Sequence, residues 1–352
     1  MSTKGNILKT LEENKGMTIS GEELANRLNI SRAAVWKAIQ ELRKDGHRID
    51  AVTRKGYCLT PGSDVLSVEG ILPYVTKGDM AGRIHVFKSV ASTNLTCKKM
   101  ALDGAPSGTV VIAEEQTKGR GRLGRSFCSP LAGGIYMSFI LEPRFDMTKS
   151  VLITTAASVA VCKAIEKVTG ILCQIKWVND IYLGGKKICG ILTEAVSDFE
   201  SGQIEHIVIG IGINYSTASS AFPKELRETA GSLFGDGPAG SNDHHPAKGS
   251  VASDPAITRN RLIAEVINQI LAINENLESR GFMPEYKERS FVLGKEILII
   301  PTGGAGNDRN LSEGTMAVAL DIDEDGGLVV RYQDGSVHTL NSGEISIRTI
   351  SS

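Results

Sequence analysis

The break at Pro61-Gly62-Ser63 constrains the fold of this chain more than any other feature, because the hydrophobic period differs on its two sides. Before it, residues 6–14, 21–28 and 32–45 read as three short helices. Ser20 with Glu23 predicts a capping box for the second helix, and Ser31 predicts an N-cap for the third. Two extended runs, 48–52 and 57–60, flank Thr53-Arg54-Lys55-Gly56 and predict a hairpin. Three helices and a hairpin make a winged helix-turn-helix over residues 1–62. This segment carries 11 Lys or Arg against 7 Asp or Glu, whereas the whole chain has a net charge of -1. Any attraction for a polyanion is therefore local.

Beyond the break, residues 83–90, 109–114, 134–141, 174–177, 187–196 and 206–213 are rich in Val and Ile and read as strands. Helices are expected over 94–102, 148–168 and 258–277, the last with Leu262, Val266, Ile270 and Ile273 on one stripe. This is a mixed α/β domain spanning residues 65–290. Within it, residues 235–254 collapse to small and polar types and read as a solvated insertion. His244-His245 there lacks the spaced carboxylates or thiols of a metal site. From 291 to 352, five short runs (295–301, 315–322, 328–332, 337–339 and 345–350) separated by turns such as Asp325-Gly326-Gly327 predict a small β-barrel. Residues 302–308 read as one of its loops. A length of 352 residues suits two or three such domains.

The six cysteines show no C-x-x-C spacing, which predicts free buried thiols and a reducing compartment. The longest apolar stretch, 151–162, is too short for a membrane span. A cytoplasmic protein without membrane contact is expected.

The densest chemical signal is Gly119-Arg120-Gly121-Arg122-Leu123-Gly124-Arg125, preceded by Lys118. Glycines let backbone N–H groups approach a ligand, and arginine forks match phosphate oxygens. The group suits a polyanionic ligand at a sheet end; a basic surface loop has the same composition. A second cluster, Lys176-Trp177-Val178-Asn179-Asp180, is followed by Lys186-Lys187-Ile188-Cys189-Gly190-Ile191-Leu192. Its polar residues read as a turn between strands, in which Asp180 could hold Mg2+ beside phosphates and a lysine could offset developing charge; an ordinary hairpin turn is the alternative. Ser92-Thr93-Asn94 reads first as a helix N-cap and only second as a ligand contact. Gln116 and Gly210-Ile211-Gly212-Ile213-Asn214 are weak signals alone. In the third N-terminal helix, Val35, Ala38, Ile39 and Leu42 fall on the buried side. Ala33, Trp36, Lys37, Gln40 and Lys44 face outward; Ala33, Trp36 and Lys37, with Arg32 at the helix start, are expected to meet a DNA groove, and Arg54 and Lys55 on the wing to reach the backbone. A protein-binding winged helix is the alternative.

Taken in order, GRGRLGR (119–125), KWVND (176–180) and KKICGIL (186–192), supported by STN (92–94), EEQTKGRGR (114–122), GIGIN (210–214) and GEISIR (343–348), resemble the bifunctional biotin–protein ligases that also serve as biotin operon repressors. The resemblance spans nearly the whole chain. It implies an α/β (α+β) multidomain protein: winged helix-turn-helix, class II synthetase-like catalytic domain and SH3-like C-terminal barrel. It also implies an enzyme that makes biotinyl-5′-AMP from biotin and ATP with Mg2+. The acyl group then passes to a lysine of a biotin carboxyl carrier domain, of acetyl-CoA carboxylase or pyruvate carboxylase. By resemblance, Ser92, Thr93, Asn94, Gln116, Arg120, Gly121, Arg122 and Lys187 bind biotin, and Arg120, Arg122, Lys176, Asn179 and Asn214 bind ATP or the adenylate. Lys187, Arg122 and Asp180 serve the chemistry, with Asp180 the metal candidate. Operator DNA and a ligand-promoted homodimer complete the expected partners. The sequence departs from the family motif at Leu123, where arginine is common, and at Phe127, where tryptophan is common; Phe222 or Tyr215 is available to stack on a base. A lipoate–protein ligase or a non-catalytic ligand-responsive regulator are the competing readings.

Overall fold

A computed structural model describes residues 2–52, 55–76, 80–131, 133–142, 150–197, 204–235, 257–300, 314–341 and 344–347. Arg54, most of the 235–254 insertion with His244-His245, and the 302–308 loop lie outside the described residues. The chain divides into two compact units, one of residues 1–86, 167–170 and 242–268, the other of 87–166, 171–241 and 269–352.

In the first unit, α1 (Thr3–Glu13), α2 (Gly21–Leu28) and α3 (Arg32–Lys44) pack around Ile7, Leu11, Leu24, Val35, Ile39 and Leu42, all fully or almost fully buried. Their starts follow from serine. Ser2, Ser20 and Ser31 each accept a hydrogen bond from the N–H three residues on, satisfying an otherwise orphaned donor. The expected hairpin forms from β2 (Ile49–Val52) and β3 (Gly56–Leu59). A third strand the sequence reading missed, β1 (Thr18–Ile19), adds to β3 in the order β1-β3-β2. Two residues carry too little periodicity to announce a strand. Past the break, α4 (Val68–Ile71) is also unforeseen, capped by Ser67. The connecting segment is held within this unit by Arg259, whose Nε lies 2.9 Å from Asp64 Oδ2, and by Asn260, which donates to the Val65 carbonyl.

The central sheet has the order β4-β5-β6-β10-β9-β8-β7. Its strands are β4 (Ile84–Phe87), β5 (Val110–Ala113), β6 (Gly134–Leu141), β7 (Gln174–Lys176), β8 (Asp180–Leu183), β9 (Lys186–Ser197) and β10 (Ile204–Asn214). From β5 to β7 every ladder is antiparallel, and a parallel bridge joins Val90 to Gln116. All eight residues of β6 are buried, as a strand covered on both faces requires. The helix α5 (Thr93–Leu102) packs on β5, β6 and β10 through Cys97 and Ala101, and α6 (Ser150–Thr169) reaches β9 through the Thr154–Thr193 hydroxyl contact of 2.8 Å. The last long helix is α7 (Arg259–Glu275); α8 (Met283–Arg289), which the sequence reading passed over, follows it.

The C-terminal strands β11 (Glu296–Ile300), β12 (Thr315–Ile322), β13 (Leu328–Tyr332), β14 (Val337–Leu340) and β15 (Glu344–Ile347) form an antiparallel sheet in the order β14-β13-β12-β11-β15. The expected barrel is thus a five-stranded sheet, with no β14–β15 pairing among the described residues. The cysteines are free thiols, four buried and two half-buried. Among the described residues no helix is long and apolar enough to cross a membrane.

Candidate active site and nucleic-acid interface

A cavity of about 330 Å³ opens over the central sheet. Every residue that the sequence motifs nominate for ligand contact lines it: Ser92, Thr93, Asn94, Gln116, Arg120, Gly121, Arg122, Lys176, Asn179, Asp180, Lys187 and Asn214. They come from five segments, 92–94, 116–122, 176–180, 187 and 214, that the fold brings together.

The floor is polar and buried. Ser92 sits at the N-cap position of α5, yet its side chain makes no capping bond, unlike Ser2, Ser20, Ser31 and Ser67. The expectation that it serves as a cap is therefore corrected; Ser92 lines the cavity instead. The first turn is satisfied by Gln116, whose Oε1 accepts from the Thr93 N–H (2.8 Å) and hydroxyl (3.1 Å) while its Nε2 donates to Ser129 Oγ (2.9 Å). Beneath them, the fully buried Ser138 hydroxyl lies 2.6 Å from Asn94 Oδ1 and 2.7 Å from Thr93 Oγ1, dividing one proton between two acceptors. The Asn94 amide donates to Glu194 Oε2 at 2.8 Å, and Lys98 Nζ lies 2.7 Å from Glu194 Oε1. Burial raises the Glu194 carboxyl, but the Lys98 and Asn94 hydrogen bonds outweigh it and hold the group below the ordinary range. Ser138 and Glu194 escaped the sequence reading because isolated polar residues in strands carry no motif.

The GIGIN run is explained by packing. A Cβ at Gly210 would collide with Asn94 Oδ1, and one at Gly212 would lie 2.5 Å from the Phe127 ring. These glycines make room for side chains in a strand; they do not form a phosphate loop. The Asn214 amide, at the end of the run, donates to the Gly231 carbonyl (2.9 Å) and anchors the segment that follows.

The glycine-arginine segment leaves the sheet and returns. Phe127 N–H donates to the Gly119 carbonyl, Gly121 N–H to the Arg125 carbonyl, and the turn passes through Leu123 and Gly124, both at positive φ. Leucine at φ 57° is uncommon. Arg122 Nη1 reaches Asn179 Oδ1 at 3.3 Å, joining this segment to the second motif.

In that motif Asp180 is not in the turn, as its spacing suggested, but is the first residue of β8, paired with Lys176 and Gly190. The turn chemistry of Asn-Asp yields here to ladder pairing. Lys187 Nζ lies 2.6 Å from the buried Asp180 Oδ1, an ion pair inside the cavity. Residues 229–231 strap the backbone of Lys187, whose N–H donates to Thr229 and whose carbonyl accepts from Gly231. Burial, with Asp180 adding, pushes the Tyr182 hydroxyl in the wall up to about 12. Phe222 also lines the cavity, whereas Tyr215 is packed against Phe234, 4.9 Å between ring centroids.

In the winged unit, α3 buries Val35, Ala38, Ile39 and Leu42 and exposes Ala33, Trp36, Lys37 and Lys44 as the wheel predicts, together with Arg32; Gln40, expected outward, is half-buried. Trp36 is 58% exposed, a large cost in apolar surface for a residue without a partner. Lys55 on the wing is exposed as well.

A winged helix with a basic, aromatic outer face and a sheet-borne cavity lined by guanidinium, ammonium and buried amide groups define a class of protein that pairs a nucleic-acid-binding fold with an anion-handling site. Residues 4–58 match the HTH domain model, 86–214 the Biotin/lipoate A/B protein ligase family, and 313–348 the Biotin protein ligase C terminal domain. The bifunctional ligase/repressor BirA of Bacillus spizizenii is 36% identical over 331 residues, covering 94% of each chain. That of Escherichia coli is 30% identical over 343 residues, covering 94% of this chain and 93% of the relative. A biotin protein ligase from Aquifex aeolicus, solved in complex with biotin and ATP, superposes with a TM-score of 0.57 at 26% identity, over 76% of this chain and 98% of that one. The chain belongs to the family of bifunctional ligase/repressors built on the biotin/lipoate A/B protein ligase domain.

Proposed function

We propose that this chain is an ATP-dependent biotin–protein ligase that forms biotinyl-5′-AMP, passes biotin to a lysine of a biotin carboxyl carrier domain, and represses transcription with the adenylate as corepressor. The observation that carries this reading is the convergence of Arg120, Arg122, Lys176 and Lys187 in one cavity with a buried amide floor. A cyclic urea offers one acceptor and two N–H donors, which the Ser92, Thr93 and Gln116 groups can answer; Asn94 is locked beneath them by Ser138 and Glu194.

In the first step the biotin carboxylate attacks the α-phosphorus of ATP and pyrophosphate leaves. Nucleophile and target are both anionic, so fixed cations must stand where charge gathers. Lys187 meets the developing charge, Arg120 and Arg122 hold the carboxylate and phosphate side, and Lys176 and Asn179 orient the nucleotide. Asp180 fits Mg2+ as the one carboxylate among the described residues lining the cavity, and Lys187 Nζ, 2.6 Å from its Oδ1, would share that oxygen with the ion. A single carboxylate is what Mg2+ takes when phosphates and water complete its shell, and there it would offset phosphate charge. In the second step the carrier lysine attacks the acyl carbon and AMP departs. The segment 119–125 keeps the mixed anhydride from water until then.

Repression follows from the winged unit: Arg32, Ala33, Trp36 and Lys37 address the groove, and a ligand-promoted homodimer places two such helices on a two-fold operator. The decisive experiment supplies labelled biotin, ATP and a purified carrier domain, with lipoate as competing acid. Biotin-specific labelling is expected. Labelling with lipoate instead, or ligand-dependent operator binding without any labelling, overturns the ligase reading.

A further inference from the structure

Asn179 and Asp180 are held from two sides. Towards the sheet, Asn179 Nδ2 donates to the Ile191 carbonyl at 2.7 Å and Asp180 pairs with Gly190. On the other side, the two residues just before them are pinned. The Val178 carbonyl accepts from the buried Tyr286 hydroxyl of α8 (3.1 Å), and the Trp177 indole N–H donates to the Gly326 carbonyl (2.9 Å). Gly326 belongs to the β12–β13 turn of the C-terminal sheet. An indole that is 4% exposed needs an acceptor, and this turn supplies it.

The turn is built to stay in place. Asp323 Oδ1 accepts from the N–H groups of Asp325 (2.9 Å) and Gly327 (2.7 Å), and Asp323 N–H donates to the Gly327 carbonyl. Outside, Arg280 pairs with Asp325 (2.7 Å) and Lys287 with Asp321 (2.8 Å). Gly326 has φ +87°, and a Cβ there would lie 3.0–3.2 Å from Thr155 and Val151 of α6. Glycine suits both the positive φ and the close packing on α6, and so holds the turn where its carbonyl meets the indole. Trp177 also lines the cavity, so a shift of the turn moves a wall of the site.

We propose that the Asp323–Gly327 turn is a positioning element of the adenylate-forming site, acting on Asn179 and Asp180 through Trp177. The inference rests on the ligase reading. It assigns the C-terminal sheet a role in nucleotide placement, selective over biotin, because the buried floor around Ser92, Gln116 and Ser138 is held by bonds among Thr93, Asn94, Ser129 and Glu194, none of which belongs to the turn.

The test uses the full chain and measures KM for ATP and for biotin separately, with Gly326→Ala and Arg280→Ala. Gly326 lies outside the cavity, so its effect must pass through the turn. The expected result for Gly326→Ala is a rise of about tenfold in KM for ATP with KM for biotin unchanged, since small misplacements of oriented groups are costly. Arg280→Ala, which loosens the turn from the surface, shifts the same constant less. Both constants moving together, or neither moving, reduces the turn to a scaffold and overturns the proposal. Should Gly326→Ala fail to fold, Arg280→Ala decides by the same split. Absence of turnover in the wild-type chain refutes the ligase reading itself, a result distinct from normal turnover with unshifted variants.

Discussion

Asn94 and Gly210 compete for one volume: the Asn94 Oδ1 atom stands where a β-carbon at position 210 would begin. Either Asn94 swings away, breaking its bonds to Ser138 (2.6 Å) and Glu194 (2.8 Å), or the strand shifts. Leaving such buried groups unmatched costs about 1–3 kcal/mol each. Gly210→Ala is therefore expected to weaken biotin binding by at least about tenfold, read by calorimetric titration. An unchanged affinity would mean that Asn94 does not serve the acid site.

Lys187 stands 2.6 Å from the buried Asp180 Oδ1. Under the proposed mechanism Lys187→Ala removes the cation that meets the phosphate, and it leaves the Asp180 carboxylate without its ion-pair partner. Loss of one such preorganised group typically costs about 10²–10³ in rate. The expected outcome is adenylate formation reduced to that extent in single-turnover assays with labelled ATP; a reduction under threefold would exclude Lys187 from the first step.

His47 is buried in the winged unit, and its Nδ1 has no hydrogen-bond partner. Burial lowers its pKa to about 4; Lys15 and Lys4 push the same way and Asp45 opposes them. The unfolded chain takes up this proton near pH 6.5 and the folded one only near 4, so stability falls as pH falls through that window. The loss reaches roughly 3 kcal/mol at its lower end. Urea unfolding at about pH 7 and about pH 5 should show the decline, and His47→Gln should flatten it. Equal pH slopes in both chains would assign the acid sensitivity elsewhere.

Lys37 and Trp36 lie side by side on the exposed face of α3. A phosphate contact and a groove contact fail differently. Lys37→Ala should weaken operator binding about uniformly across sequences and lower the salt slope by about one, whereas Trp36→Ala should relax the preference between operator and random DNA. Fluorescence anisotropy across a salt series separates the two. If neither variant changes DNA affinity, the winged helix addresses a protein.

Much of this protein is legible in its sequence. The boundaries of α2, β6, β12 and β13 match their hydrophobic periods, because each is a regular element whose burial repeats along the chain. What failed to show were short or override cases: β1 at two residues, α4 at four, and β8, which converts an Asn-Asp turn signal into a strand start. There, long-range pairing outweighs local propensity.

The sequence by itself determined which chemical groups this protein possesses and which segments are helical or extended, because those depend on neighbours three, four or two residues away. It also placed the arginines on glycines and the lysine beside the sheet. Only the tertiary structure decided what each group faces. That the first turn of α5 is satisfied by Gln116 and not by Ser92, that Ser138 divides its proton between Thr93 and Asn94, and that Trp177 finds its acceptor at Gly326 all depend on pairs 23 to 149 residues apart. Such contacts are set by sheet register and by the packing of buried polar groups, and no local pattern in the chain encodes them.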